Sequence, residues 1–107
     1  MWDTFLMDLL YPEDTGLKTT VWTLIKGNNK CSARCFVNNK YGRDPGRDDL
    51  LVISVSKNPK ILSGECKLAD EDLKNVFEWI ILNHDAIVDH YNHKISSGEF
   101  VDRLQNI

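Results

Sequence analysis

The alternation of apolar and polar residues divides the chain into a β-rich first half and a helical second half. In the first half, short runs of β-branched and aromatic residues are separated by turn signals rich in Gly, Pro and Asn, a pattern that predicts β-strands. The predicted strands cover residues 3–10, 17–26, 31–37, 50–56 and 61–62. Residues 3–10 fit either a strand or a short helix, and the turn signal that follows them favours the strand.

The period of the apolar residues changes from two to about 3.6 at residue 70, which predicts a helix. Its apolar stripe consists of Leu73, Val76, Phe77, Ile80 and Ile81. Polar residues 83–85 interrupt the stripe before it resumes, so this segment is either one bent helix or two helices. Residues 96–99 have the Ser-x-x-Glu spacing of a capping box and predict the start of a short C-terminal helix.

These patterns predict an α+β fold in a single domain over residues 1–107, a length that is typical of one domain. We expect an antiparallel meander of four or five strands over residues 3–63, because parallel strands would need longer connections. Two or three helices over residues 70–105 should then pack on one face of this sheet.

Some residues can be assigned to the core or to the surface from their type and position. We expect Trp22 and Trp79 in the core, and Trp2 near the surface, where it could contact a partner. Residues 38–49 contain two glycines, a proline and no aliphatic residue. We therefore predict a long exposed loop that contributes only Tyr41 to the core.

Composition restricts the class of protein. With 42% apolar and 27% charged residues, the chain is typical of folded proteins. Its apolar runs are far shorter than the roughly 20 residues of a membrane-spanning helix. Acids interrupt the apolar run at the N-terminus, so we do not expect this run to be a secretory signal. Three cysteines without zinc-ribbon spacing argue against a disulfide framework and favour a cytoplasmic location.

The net charge of −3 conceals a segregation of charge along the chain. Residues 26–47 carry six bases and one acid, whereas residues 65–107 carry nine acids and four bases. A basic loop with nearby aromatic residues can contact phosphates or an acidic protein surface. The candidate partner-binding residues are Lys30, Arg34, Lys40, Tyr41, Arg43 and Arg47.

We expect a protein partner for this surface, with nucleic acid as the alternative and no contact with a membrane. A second copy of the chain is a further candidate partner if the first strand lies at a sheet edge, where its backbone groups would be unpaired.

Catalytic and cofactor motifs are missing from the sequence, which has no nucleophile elbow, phosphate-binding glycine loop or metalloprotease spacing. We therefore favour a non-enzymatic protein without cofactor or metal, although a ribonuclease-like activity stays open.

His90 and His93 lie three residues apart on the predicted helix and could share a metal ion, but histidine near a helix C-terminus is also favourable without a ligand. Cys35 beside Arg34 could be an activated thiolate, although strand cysteines are more often core residues.

Four short motifs suggest a family. They are Glu-Asp-Thr-Gly-Leu at residues 13–17, Val-Trp at 21–22, Trp-Ile-Ile-Leu-Asn-His-Asp-Ala at 79–86 and Gly-Glu-Phe at 98–100. With these motifs the chain resembles a group of small uncharacterised DUF-type proteins of bacteria and phages. It is also similar to a larger set with a Pro-His-Phe-His strand, whose genes are sometimes found beside toxin and antitoxin genes. The equivalent residues 33–37 lack both histidines.

From the small size, the segregated charge and the lack of catalytic motifs, we predict a small non-enzymatic protein-interaction module, and the resemblance implies a bacterial or phage origin. Such a module could be an inhibitor of a host defence or toxin protein, or an antitoxin. The alternative is a small RNA-binding or ribonuclease-like protein that uses the basic segment, residues 26–47.

Overall fold

The described part of the chain, residues 6–25 and 32–107 of a computed structural model, forms five strands and four helices. The strands are β1 (Leu6–Leu10), β2 (Thr19–Ile25), β3 (Arg34–Tyr41), β4 (Leu50–Ser54) and β5 (Ile61–Ser63). The helices are α1 (Pro12–Thr15), α2 (Asp70–Leu82), α3 (His84–Tyr91) and α4 (Ser97–Arg103). None of the helices within these residues is long and apolar enough to cross a membrane.

The strands form one antiparallel sheet in chain order, β1-β2-β3-β4-β5. The predicted α+β fold, an antiparallel meander followed by helices, is confirmed. Strand β1 lies at one edge of the sheet, and β5 lies at the other. Predictions for residues 3–5, for the turn at residues 27–29 and for Trp2 lie outside the described residues.

The main core cluster lies on one face of the sheet. Val21 on β2 is opposite Leu10 on β1 and Val37 on β3, and Val37 is opposite Leu51 on β4. These four residues are buried in one cluster with side chains from all three longer helices, and α3 lies against β2. The helical members of the cluster are Val76, Trp79, Ile80, Ala86, Ile87 and Phe100. Trp79 is buried in this cluster, as predicted. Trp22 is buried too, but it follows Val21 on β2 and therefore faces the opposite side of the sheet.

The turn between β1 and β2 contains one turn of helix, α1, which the sequence analysis did not predict. Pro12 occupies its first position, and Gly16 ends it with a left-handed φ of +81°. A Cβ atom at Gly16 would also lie 3.1 Å from the backbone of Ile107. Glycine is therefore required at this position both by the backbone angle and by the close approach of the C-terminal segment.

Strand β3 extends beyond its predicted end. Residues 38–49 were expected to form a loop whose only core residue is Tyr41, but β3 runs to Tyr41. Asn38 and Asn39 are only 1% and 6% exposed, whereas Tyr41 is 48% exposed. The prediction was wrong because the lack of aliphatic residues was taken as evidence against burial, whereas buried asparagine side chains can form hydrogen bonds with backbone groups.

The side-chain amides of these two asparagines hold nearby irregular segments. Asn38 donates a hydrogen bond of 2.9 Å from Nδ2 to the carbonyl oxygen of Asp44, in the loop after β3. Asn39 donates from Nδ2 to the carbonyl oxygen of Glu65, and its Oδ1 accepts a hydrogen bond from the amide of Lys67, both at 2.9 Å. An asparagine amide offers both donor and acceptor, so it can pair with a backbone as a neighbouring strand would.

A third buried asparagine, Asn83, separates α2 from α3, so the segment contains two helices. Its side chain does not cap α3. Instead, Nδ2 donates to the carbonyl oxygens of Trp79 and Gln105, both at 3.0 Å, and Oδ1 accepts from the amide of Gln105 at 2.7 Å. The extended segment after α4 is thereby held against the helix junction, and it ends with a hydrogen bond from the amide of Ile107 to the carbonyl oxygen of Thr15.

The capping box at the start of α4 is confirmed. Ser96 Oγ accepts a hydrogen bond from the amide of Glu99, and the Glu99 carboxylate accepts one from the amide of Ser96. These two bonds satisfy backbone donors that a helix start would otherwise leave unpaired.

Candidate functional site

The predicted partner-binding residues lie in several places. Arg34 begins β3 and Tyr41 ends it, so their backbones are about 20 Å apart along the strand. Arg43 and Arg47 lie in the loop after β3, and Lys30 lies outside the described residues. Among the described candidates, Arg34 is therefore separated from the others by the length of β3, whereas Lys40, Tyr41, Arg43 and Arg47 lie at the end of β3 and in the loop after it.

Two of the basic partner-binding candidates are paired with nearby acids. Lys40 Nζ lies 3.3 Å from Asp48, and Arg43 Nε lies 2.9 Å from Glu13. The Arg43 guanidinium also lies over the ring of Tyr11, 4.1 Å from its centroid. These contacts reduce the positive potential that the basic segment can present to phosphates.

Within the described residues, Arg34 and Arg47 form no salt bridge. They are therefore the basic candidates whose charge is available to a partner.

Tyr41 connects the sheet to the start of α2. Its hydroxyl donates a hydrogen bond of 2.6 Å to Asp72 and accepts one of 3.0 Å from the amide of Ala69. Asp72 also lies 3.6 Å from Lys18 Nζ. Tyr41 therefore already has a structural role, and only part of its ring is exposed to a partner.

A different surface combines exposed apolar side chains with a concave shape. On α2, Ile81 and Leu82 are 47% and 45% exposed, and Ile107 from the C-terminal segment is 43% exposed. Together with Glu78 they line a shallow, open hollow of about 360 Å³. A second hollow of similar volume shares Leu82 and has polar walls. We call the two hollows the helical groove; its polar part is lined by Asn83, Asp85, Ala86, Arg103 and Gln105.

The charged side chains at the polar end of the helical groove form hydrogen bonds with neighbouring side chains. Asp85 lies 3.0 Å from His84 Nδ1, and this hydrogen bond lowers the pKa of the Asp85 carboxyl. Arg103 Nη1 donates to Asp89 at 3.0 Å. The polar end is therefore formed by paired charges and by the backbone that Asn83 holds in place.

The sequence analysis placed Ile81 on the core stripe of α2, which was wrong. The core residues of this helix are Val76, Trp79 and Ile80. Residues 79–82 are four consecutive apolar residues, and at about 100° per residue they cannot all face one side of a helix. That run was the signal in the sequence for an exposed apolar surface.

Three side chains of the types found in hydrolase triads meet where β1, α3 and α4 come together. His90 Nε2 lies 2.9 Å from Asp8 Oδ2 and 3.2 Å from Ser97 Oγ. Ser97 Oγ in turn donates to Asp8 Oδ2 at 2.9 Å. We call these residues the Asp8–His90–Ser97 cluster, and neither Asp8 nor Ser97 was expected as its member from the sequence.

The geometry of the Asp8–His90–Ser97 cluster differs from that of a catalytic relay. A relay needs the serine and the carboxylate on opposite nitrogens of the imidazole, whereas here both contact Nε2. His90 is only 3% exposed, and its Nδ1 is buried without a hydrogen-bond partner among the described residues. The cluster therefore joins structural elements and is not arranged for nucleophilic catalysis.

The prediction that His90 and His93 lie on one helix was wrong. Helix α3 ends at Tyr91, and His93 follows in a left-handed conformation with φ of +62°. In the part of the chain that the structure describes, no group of three or more His, Cys, Asp or Glu side chains is placed to hold a metal ion.

Cys35 is a core residue. It lies on β3 between Thr23 and Ile53, and its side chain is fully buried. Burial raises the pKa of its thiol to about 12. The hypothesis of an activated thiolate is therefore wrong, because the nucleophilic form is scarcely populated at neutral pH.

Thiol labelling provides a test of this burial. In native protein at pH 8, we expect iodoacetamide to modify Cys35 more slowly than the partly exposed Cys66, by about a hundredfold or more. Peptide mass mapping over time measures the two rates separately. In guanidinium chloride the two rates should become similar, and similar rates in the native protein would contradict the buried position of Cys35.

No protein-family model, curated protein or solved structure matches the chain. The resemblance to DUF-type proteins stays a prediction.

Proposed function

We propose that the protein is a non-enzymatic interaction module that binds a protein partner through the helical groove. The observation that carries this proposal is the group of three exposed aliphatic side chains, Ile81, Leu82 and Ile107, around one hollow. Single exposed apolar residues are normal on protein surfaces, but adjacent ones around a concavity are typical of interaction sites. Burying them contributes roughly 25 cal/mol per Å² of apolar area.

The two ends of the helical groove favour a protein as its ligand. Protein interfaces commonly combine an apolar centre, where an anchor side chain is buried, with a polar rim. Here the apolar hollow and the polar hollow share Leu82. A partner segment can therefore place an apolar anchor against Ile81 while its polar groups meet Gln105.

The other predicted surfaces stay predictions. RNA binding is supported by Arg34 and Arg47, which form no salt bridge with another described residue, and weakened by the pairing of Lys40 and Arg43 with acids. Strand β1 lies at a sheet edge, which is the condition for pairing with a second copy. The narrower functions, an antitoxin or an inhibitor of a host defence or toxin protein, are predictions from the sequence.

Affinity capture from a bacterial lysate tests the helical groove with matched variants. Leu82→Lys places a charge in the apolar hollow, and Leu62→Lys places the same charge on β5, where the leucine is similarly exposed. Both changes are at the surface and should alter stability by about 0.5 kcal/mol or less. After nuclease treatment, we expect Leu82→Lys to retain about thirtyfold less of a specific protein than wild type, and Leu62→Lys to match wild type.

An Arg34→Glu/Arg47→Glu double variant separates this proposal from the alternatives. If the retained protein is lost with the double variant but kept with Leu82→Lys, the interface lies on the basic segment and not on the helical groove. If only nucleic acid is retained, and nuclease removes it, the RNA-binding alternative replaces the proposal.

A further inference from the structure

One imidazole connects three elements of the fold. His90 lies on α3, its Nε2 contacts Asp8 on β1 at 2.9 Å, and it contacts Ser97 at the start of α4 at 3.2 Å. The ring also stacks on Phe100 of α4, with centroids 4.4 Å apart and an angle of 2° between the planes. His90 therefore contacts both β1 and α4.

The hydrogen bonds determine which ring nitrogen carries the proton. The Asp8 carboxylate can only accept, and it already accepts a hydrogen bond from Ser97. The proton of a neutral His90 therefore lies on Nε2, where it can be donated to Asp8. Nδ1 then holds a lone pair, and it is buried without a partner among the described residues. A second proton on Nδ1 would be a buried donor that lacks an acceptor, on a ring that has become charged.

We propose that His90 is a pH-sensitive latch, in which protonation of Nδ1 in mildly acidic solution releases α4 and the C-terminal segment from β1 and α3. This device goes beyond the proposed binding function, because it operates whether or not the helical groove has a ligand. Its effect reaches the groove, since Gln105 and Ile107 follow α4 directly and line the two hollows.

The charged groups around His90 shift its pKa in opposite directions. Asp8 from β1 favours the charged ring, whereas His93 from the turn after α3 disfavours it. Helix α4 contributes the uncharged Ser97 and Phe100, and β2 places the uncharged Thr23 opposite Asp8. Burial is the largest influence and lowers the pKa of His90 below its ordinary value of 6.5.

The direction of the pH dependence follows from proton linkage. In the released state the ring is hydrated and binds a proton at about pH 6.5, whereas in the latched state it binds one only at lower pH. The latched state is therefore fully stabilised above about pH 6.5, and this stabilisation is lost as the pH falls through the interval below that value.

Hydrogen exchange of the wild-type protein, measured by NMR between pH 7.5 and 5, tests the latch. We follow the amides of Phe100, Gln105 and Ile107, which are hydrogen-bonded in α4 and the C-terminal segment. After correction for intrinsic exchange rates, we expect their protection factors to fall by up to about tenfold per pH unit below pH 6.5, while Val37 in the central strand keeps its protection. Protection factors of α4 that do not change with pH would overturn the proposal.

Two variants assign the effect to this histidine. His90→Gln removes the titrating group and should abolish the pH dependence of protection, whereas His84→Gln changes a histidine that contacts Asp85 outside the cluster and should retain it. The same pH dependence in His90→Gln would overturn the latch. If that variant does not fold, the NMR titration of the His90 ring in wild type decides, because a midpoint at or above pH 6.5 also overturns it.

Discussion

Replacing Phe100 by alanine is expected to lower the free energy of unfolding by about 3–5 kcal/mol, the range for truncation of a fully buried aromatic side chain. Phe100 is 0% exposed, belongs to the main core cluster and stacks on His90. Its removal leaves a cavity between α4 and the core, and it also removes the surface against which the imidazole packs. Chemical denaturation followed by tryptophan fluorescence measures the loss, since Trp22 and Trp79 are buried.

The neighbouring residue provides the control for this prediction. Val101 lies on the same helix but is 48% exposed, so Val101→Ala should change the free energy of unfolding by about 0.5 kcal/mol or less. A loss below about 1 kcal/mol for Phe100→Ala would show that α4 does not contribute to the core.

Replacing Asn83 by aspartate is expected to lower the free energy of unfolding by about 3 kcal/mol at pH 7. The two side chains have nearly the same shape, but aspartate lacks the two donors that bind the carbonyl oxygens of Trp79 and Gln105. The new carboxylate would face these two oxygens at a position that is 2% exposed. Denaturation curves for the variant and for wild type give the difference.

An exposed asparagine tests whether the effect depends on the site. Asn58 lies in the turn before β5 and is exposed, so Asn58→Asp should leave stability within about 0.5 kcal/mol of wild type. If Asn83→Asp were equally harmless, the hydrogen bonds of Asn83 would not hold the C-terminal segment. Loss of protection at Gln105 and Ile107 in Asn83→Asp would identify the segment that is released.

The elements that could be predicted from the sequence are those with local signals. Strand β4 has a β-branched run, α2 has a 3.6-residue period, and α4 begins with a capping box whose partners are three residues apart. In each case the residues that determine the conformation lie within the element itself. Tertiary contacts then add stability without changing the type of element.

The features that sequence reasoning missed depend on partners far along the chain. Asn39 binds Glu65, 26 residues away, and Asn83 binds Gln105, 22 residues away. Ser97 and Asp8 are 89 residues apart. Asparagine in a strand or at a helix junction has the local signature of a turn or a cap, so nothing near these positions indicates their tertiary role.

For the candidate sites too, the sequence indicated the local part of each site and not the contacts between distant residues. Counting charges identified the basic segment, but the count could not show that Lys40 and Arg43 are paired with acids. The helical groove had a signal in the four consecutive apolar residues of α2, although its other wall comes from the C-terminal segment. Only the folded structure brings Ile107 beside Ile81 and Leu82.

Asn38 fixes the backbone of the loop after β3 by hydrogen bonds to the carbonyl groups of that loop. Asn38 binds carbonyl oxygens of the loop, at Asp44 and Gly46, and not its side chains. These two hydrogen bonds do not involve the side chain at position 47, so that residue can change while they are kept. Position 43 differs, because Arg43 contacts Glu13 and Tyr11, and Pro45 restricts the backbone of the loop. Position 47 is therefore the place in this loop where a different side chain can be displayed on the same backbone.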